Sequence, residues 1–150
     1  MGGCASFLLF ANVPVVQAAV PMIGIPTFTQ RWLDLLDECT FCNPTWAATL
    51  QSVQKETTQQ TDFIRSIDPA EKLKAAAPRA LLIMNNDFDS DQPKHFAIDC
   101  YRTLRPAYAM HTDKLQLKLY PAGHMVTPAM EHDAVMWFVQ HLVSNRPSTP

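Results

Sequence analysis

Two residues in this chain have the types and positions needed for proton-transfer chemistry. Asp89 follows the apolar run Ala80-Leu81-Leu82-Ile83-Met84, and His124 follows the alternating stretch Leu115-Gln116-Leu117-Lys118-Leu119-Tyr120, in the loop Pro121-Ala122-Gly123-His124. Both runs read as β-strands. Each residue therefore stands just beyond the carboxyl end of a strand, where open α/β sheets place their ligand crevices. A carboxylate that accepts the Nδ1 proton of an imidazole leaves the other ring nitrogen free to take a proton from a nucleophile. An acid followed by a histidine is also the order of the second and third members of a Ser…Asp…His triad. The first member is missing. Ser6, Ser52, Ser66, Ser90, Ser144 and Ser148 all lack a G-x-S-x-G setting, and Ser90 belongs to the loop of the acid itself. Met1-Gly2-Gly3 reads instead like the residues that follow a nucleophilic serine.

Other residues of the same types fit simpler roles. Asp87 and Asp91 flank Asp89 and read as solvated or helix-capping carboxylates, while the distance to Pro93 favours Asp89 as the acid. His95, His111, His132 and His141 lack patterned acidic company and read as surface or packing residues. Cys39-Thr40-Phe41-Cys42 has the C-x-x-C form of zinc and redox sites. No second pair or His-x-x-His follows it, and structural zinc takes four ligands, so no metal or other cofactor is expected. Cys4 and Cys100 fall on inward helix faces and read as small apolar residues.

The elements that must position Asp89 and His124 alternate along the chain. Gly2 to Phe10 suits a buried helix that Asn12-Val13-Pro14 stops, and Val15 to Ile23 reads as a buried strand. Residues 25–78 differ: Arg31 to Glu38 and the polar stretch Thr45 to Ile67 look helical, and Asp68-Pro69 opens a short helix to Ala77. An insertion of this length between buried strands is expected to form a helical cap or lid. The strand Arg79 to Asn85 follows, then a helix from Pro93 to about Leu104 with Phe96, Cys100, Thr103 and Leu104 on one face. Leu115 to Tyr120 is a strand nearer the sheet edge. Thr127-Pro128 caps and starts a last helix whose apolar face is Met130, Ala134, Trp137, Phe138 and His141-Leu142. This order is α/β.

Composition bounds the rest. A chain of 150 residues with 47% hydrophobic and 17% charged residues is one globular domain rather than a disordered segment. A net charge of −2 without a basic cluster excludes nucleic acid as an expected partner. No uninterrupted run reaches the ~18–20 apolar residues of a membrane span. Val16-Gln17-Ala18-Ala19 loosely resembles a signal-peptide cleavage region, but the first basic residue is Arg31. The cysteines suit a reducing, cytoplasmic setting. Met1-Gly2-Gly3-Cys4-Ala5-Ser6 also fits the M-G-x-x-x-[ST] acylation pattern, which implies a lipid anchor if Gly2 is N-terminal.

Leu81-Leu82-Ile83-Met84-Asn85-Asn86-Asp87-Phe88-Asp89, with Pro93 four residues on, resembles the acid-bearing strand and loop of α/β-hydrolases. Tyr120-Pro121-Ala122-Gly123-His124-Met125-Val126-Thr127-Pro128-Ala129-Met130 resembles the histidine loop and final helix of the same superfamily, closest to its prolyl oligopeptidase and dienelactone hydrolase-like esterase branch. Met1-Gly2-Gly3-Cys4-Ala5 is similar to the exit of the nucleophile elbow G-x-S-x-G-G, beginning one residue after the serine. The resemblance covers nearly the whole chain outside the cap but only the second half of the family's fold.

It implies a partial α/β-hydrolase domain over residues 1–150, with the last three parallel strands, flanking helices and a helical cap insertion at 25–78. It implies that Asp89 orients His124, that His124 is the general base and then the acid, and that the backbone nitrogen of Met1 is an oxyanion donor. Gly2 and Gly3 would let the first helix approach the strand. The implied reaction is serine hydrolysis of an ester, thioester or peptide bond, with the chain inactive until an N-terminal half supplies the serine. The strand Val15–Ile23 would otherwise be left as a long apolar edge, open to such a half or to self-association. The alternative is a non-catalytic hydrolase remnant that binds a partner or is N-acylated.

Overall fold

The computed structural model describes residues 2–42, 45, 49 and 54–143, with only the backbone given for 39–42 and 54–57. The chain divides into two compact units, one holding the described residues up to Pro26 and from Pro69 onward, the other spanning Thr27–Asp68.

The first unit is α/β. In chain order it contains α1 (Gly2–Asn12) and β1 (Ala18–Ala19) and then, beyond the second unit, α4 (Ala70–Lys74), β2 (Ala80–Asn86) and α5 (Lys94–Leu104). Two short 3₁₀ turns (Arg105–Tyr108 and Thr112–Lys114) lead to β3 (Leu115–Tyr120) and α6 (Pro128–Phe138). The strands form a three-stranded sheet in the order β1-β2-β3, and both pairings are parallel. Ala18 faces Ala80, and Leu81 through Asn86 run opposite Leu115 through Tyr120.

β2 is the middle strand, and all seven of its residues are buried. Its side chains alternate between two cores. Leu81 and Ile83 join Phe7, Phe10, Leu73, Ala97, Cys100, Leu104 and Tyr108 on the face of α1, α4 and α5. Ala80, Leu82 and Met84 join Tyr120, Met130, Ala134 and Trp137 on the face of α6. Cover on both faces is why β2 reads as a continuous apolar run, whereas the edge strand β3 alternates.

Several sequence expectations shift. In α1 the buried residues are Phe7 and Phe10, three apart on one stripe, while Leu9 is 57% exposed. The strand expected over Val15–Ile23 reduces to Ala18–Ala19 plus a single bridge between Met22 and Met84. Val15 lies in the turn that follows the Pro14 stop, and Pro21 has no N–H, so it enters the ladder only as an acceptor from Met84 N at 3.1 Å. The free edge is therefore short rather than long. Thr103 faces outward while Ala97 takes an inward place on α5, and Phe138 and Leu142 are exposed on and beyond α6. The cap of α6 is as expected: Thr127 Oγ1 accepts from Met130 N at 3.3 Å, with Pro128 opening the helix.

The second unit is helical, with α2 (Phe28–Cys42) packed on α3 (Gln54–Ile67). Trp32 Nε1 donates to Thr61 Oγ1 at 2.9 Å, and Asp68 Oδ2 accepts from Thr29 N at 2.8 Å. Residues 69–78, expected within the same insertion, belong instead to the sheet-bearing unit, where Leu73 and Ala76 are fully buried in the α1 core. Among the described residues no helix is long and apolar enough to cross a membrane.

Candidate active site

The parallel register of β2 and β3 brings their carboxyl ends level, with Asn86 opposite Tyr120. The chain leaves β2 into the loop 87–93 and leaves β3 into the loop 121–127. Asp87 N donates to Tyr120 O at 2.8 Å and Phe88 N to Ala122 O at 3.1 Å, so the two loops are laced together before the key side chains begin.

Asp89 and His124 meet there. His124 Nδ1 lies 3.0 Å from Asp89 Oδ2 and 3.2 Å from Oδ1. Asp89 Oδ1 also accepts from the backbone of Asp91 at 2.9 Å and of Gln92 at 2.8 Å. These bonds replace the water that a carboxylate loses on burial. The Asp89 side chain is 0% exposed and that of His124 is 49% exposed. An acceptor-only carboxylate requires the proton on Nδ1, which leaves Nε2 as the basic nitrogen on the open part of the ring.

The ring borders a cavity of about 480 Å³ whose lining includes Gly2, Gly3, Ser6, Met22 and Ile23 as well as His124. Two contacts build its wall. Gly3 and Gly24 approach so closely that a Cβ on Gly3 would stand 2.7 Å from Gly24 N and would also overlap the Met22 carbonyl. Gly2, by contrast, has open space around its Cα, so of the two expected close-approach glycines only Gly3 acts as one. Ile23, with φ 52°, holds a left-handed backbone that branched residues rarely adopt. Its N–H is bonded to Met84 O at 2.9 Å, which ties this wall to β2.

The remaining candidates separate from the pair. Asp87 forms an ion pair with Lys94 at 2.8 Å. The His95 ring packs at a tilt against Phe96 and that of His141 against Trp137, each with ring centroids 4.1 Å apart, and burial holds the His141 imidazolium pKa down. Burial raises the Cys100 thiol to about 12, which makes it inert near neutral pH. Cys4 is half-buried, and its Sγ accepts from Ile25 N at 3.4 Å. Ser6 lines the cavity, but its hydroxyl donates to Gly2 O at 3.0 Å within α1. Ser66 likewise donates to Phe63 O, and Ser90 is exposed in the acid loop. Among the described residues no serine hydroxyl hydrogen-bonds the His124 ring. Met1, the expected oxyanion donor, and the side chains of Cys39 and Cys42 lie outside the described residues.

Two participants were not expected from the sequence. Asn85 and Asn86 are both fully buried at the end of β2 and bond to the loops of the acid and the histidine. The signal was present as two amides closing an apolar strand run. A larger cavity, about 630 Å³, lies beside Tyr101, Arg102, Arg105 and Tyr108 and shares no lining residue with the site. Two of its polar groups are engaged in structure: Tyr108 donates to Arg79 O at 2.8 Å and Arg102 pairs with Asp99 at 3.5 Å, and among the described residues no acid–base pair lines it. The Asp89–His124 site is therefore the better chemical candidate. No family model matches the chain, and no curated protein matches it.

Proposed function

We propose that Asp89 and His124 are the acid and the base of a serine-hydrolase triad, and that the chain is the C-terminal portion of an α/β-hydrolase of the prolyl oligopeptidase or dienelactone hydrolase-like esterase branch. The observation that carries this reading is the 3.0 Å contact between a fully buried carboxylate and the Nδ1 of a half-exposed imidazole at the mouth of a cavity. Asp89 holds the tautomer with the proton on Nδ1 and stabilises the imidazolium when it forms. His124 Nε2 takes the proton of a serine hydroxyl as that oxygen attacks the carbonyl of an ester, thioester or peptide bond. It then returns the proton to the departing group, and a water repeats the sequence to release the acid.

The serine comes from outside the described residues: Ser6 and Ser66 are bonded within their own helices, and Ser90 belongs to the exposed acid loop. A segment pairing along the free edge of β1 would bring it to the end of the sheet where Gly3 and His124 share a cavity wall. That edge also favours a second reading, in which the chain binds a partner without catalysis.

The test is performed on the longest polypeptide encoded by the reading frame around the codon for Met1. Labelling by a fluorophosphonate and hydrolysis of p-nitrophenyl esters, both lost in His124→Ala, support the hydrolase. A frame that opens at Met1, together with neither label nor turnover, overturns the enzyme reading and leaves the partner-binding one.

A further inference from the structure

We propose that Asn86 is a positioning residue for His124 and that Asn85 plays the corresponding part for the Asp89 loop. This rests on the reading of Asp89 and His124 as an acid–base pair. Asn86 Nδ2 donates to Gly123 O at 2.5 Å and to Met125 O at 2.8 Å, the carbonyls on either side of His124. Both amide hydrogens are thereby used, and rotating the amide would set its oxygen against two carbonyl oxygens, so the orientation is settled by chemistry. With both flanking carbonyls held, the backbone of His124 cannot swing. The ring is left only its own side-chain torsions, and Asp89 fixes those from the other end.

Asn85 does the equivalent work on the acid. Its Nδ2 donates to Gln92 O at 3.1 Å, and its Oδ1 accepts from Asn86 N at 2.8 Å. Gln92 is also the residue whose N–H binds Asp89 Oδ1 at 2.8 Å. The acid loop and the histidine loop thus hang from two adjacent residues of one buried strand, and an error in one is carried to the other.

The arrangement is unfavourable as mere core packing. Residues 80–84 of the same strand are apolar, and burying two amides at its end costs free energy that only their hydrogen bonds offset. Asn86 Oδ1 is buried with no partner among the described residues, so this amide is kept for its donors at the expense of its acceptor. Backbone bonds alone tie the loops only as far as Ala122. Asn86 extends that hold past His124.

The experiment is ¹⁵N NMR of the histidine rings in the full 150-residue chain. In the wild type His124 is expected in the Nδ1–H tautomer. In Asn86→Ala, with the core methyl signals of Leu82, Met84 and Met130 unchanged, the preference falls toward the mixture of an unconstrained imidazole. Asn86→Ser keeps one donor and gives an intermediate shift, and it decides the matter if Asn86→Ala does not fold. Asn85→Ala moves the amide signals of Asp91 and Gln92. An unchanged His124 tautomer in a folded Asn86 variant overturns the positioning role. A wild-type His124 that already shows the unconstrained mixture overturns instead the acid–base reading on which the role rests.

Discussion

Gly3 and Gly24 meet backbone to backbone: a Cβ on Gly3 would lie 2.7 Å from Gly24 N and 2.8 Å from Gly24 Cα, and Gly24 is equally closed to a side chain. The contact seats the first turn of α1 against the chain leaving β1, at the cavity that His124 borders. Neither glycine has a positive φ, so it is the close approach that requires them. Gly3→Ala and Gly24→Ala are each expected to lower stability by about 1–3 kcal/mol, the usual cost of overpacking. Gly2→Ala, in open space, should leave urea unfolding nearly unchanged. Equal midpoints for Gly2→Ala and Gly3→Ala would remove the contact from the account.

Asp89 combines two duties that substitution can separate. Oδ1 closes the turn through Asp91 N and Gln92 N, while the carboxylate as a whole holds the imidazole. Asp89→Asn retains a carbonyl oxygen for the turn and is expected to stay within about 1 kcal/mol of the wild type, near the worth of one hydrogen bond. Asp89→Ala removes the acceptor of both turn N–H groups, which are only partly buried, and should cost about 1–3 kcal/mol. In the completed hydrolase the same Asp89→Asn should depress turnover by about 10⁴-fold, as loss of the correct tautomer does in the Ser-His-Asp archetype. Chemical denaturation and ester hydrolysis measured on the same samples check both halves.

Arg79 gathers the ends of α1 and α4. It donates to Phe10 O at 2.6 Å, Val16 O at 2.8 Å, Val13 O at 3.0 Å and Ala76 O at 3.1 Å, with the guanidinium 4.5 Å above the Phe10 ring. Positive charge at a helix carboxyl end is favourable, and a planar fork can serve several carbonyls at once. Arg79→Met should lower stability by about 2–4 kcal/mol, more than a single charged hydrogen bond. Arg79→Lys should recover only part of the loss, because a point charge cannot reach all four acceptors. Full recovery in Arg79→Lys, seen in thermal or urea melts, would contradict this.

Asp133 predicts a pH dependence. Its carboxylate accepts from Lys118 Nζ at 2.8 Å and from the Tyr120 hydroxyl at 2.6 Å, tying α6 to β3. The Lys118 hydrogen bond first, and the Tyr120 hydrogen bond second, hold its pKa below the ordinary aspartate value against the opposing push of burial. A depressed folded-state pKa means that the unfolded chain binds this proton more readily. The stabilisation is therefore complete above the unfolded aspartate pKa and is lost as pH falls through that range to the folded value. The stability difference between wild type and Asp133→Asn should shrink on acidification across that window. A difference independent of pH would show that the carboxylate charge contributes nothing.

How much of this was legible in the sequence depends on the range of the interaction. Local periodicity marked β2, β3, α5 and α6, because burial on one face or both writes itself into the order of side chains. Asp89 and His124 could be singled out because strand ends and chain order are local facts, and parallel strands with level carboxyl ends bring such residues together without further information. Pro14 and Thr127-Pro128 announced a stop and a start through backbone chemistry alone.

The tertiary structure decided what depends on residues far apart in the chain. It placed Asn86 beneath Gly123 and Met125, set Gly3 on Gly24 while leaving Gly2 free, and spread the Arg79 fork over carbonyls at the end of α1 and in the segments that follow α1 and α4. It also cut β1 to Ala18–Ala19 and turned Phe7 and Phe10 inward while Leu9 faces out. An amide, a glycine or an arginine carries no mark of its distant partner. That partner is set by the register of β2 against β1 and β3 and by the faces on which the helices pack, and these arise only when the whole unit minimises its exposed apolar surface together.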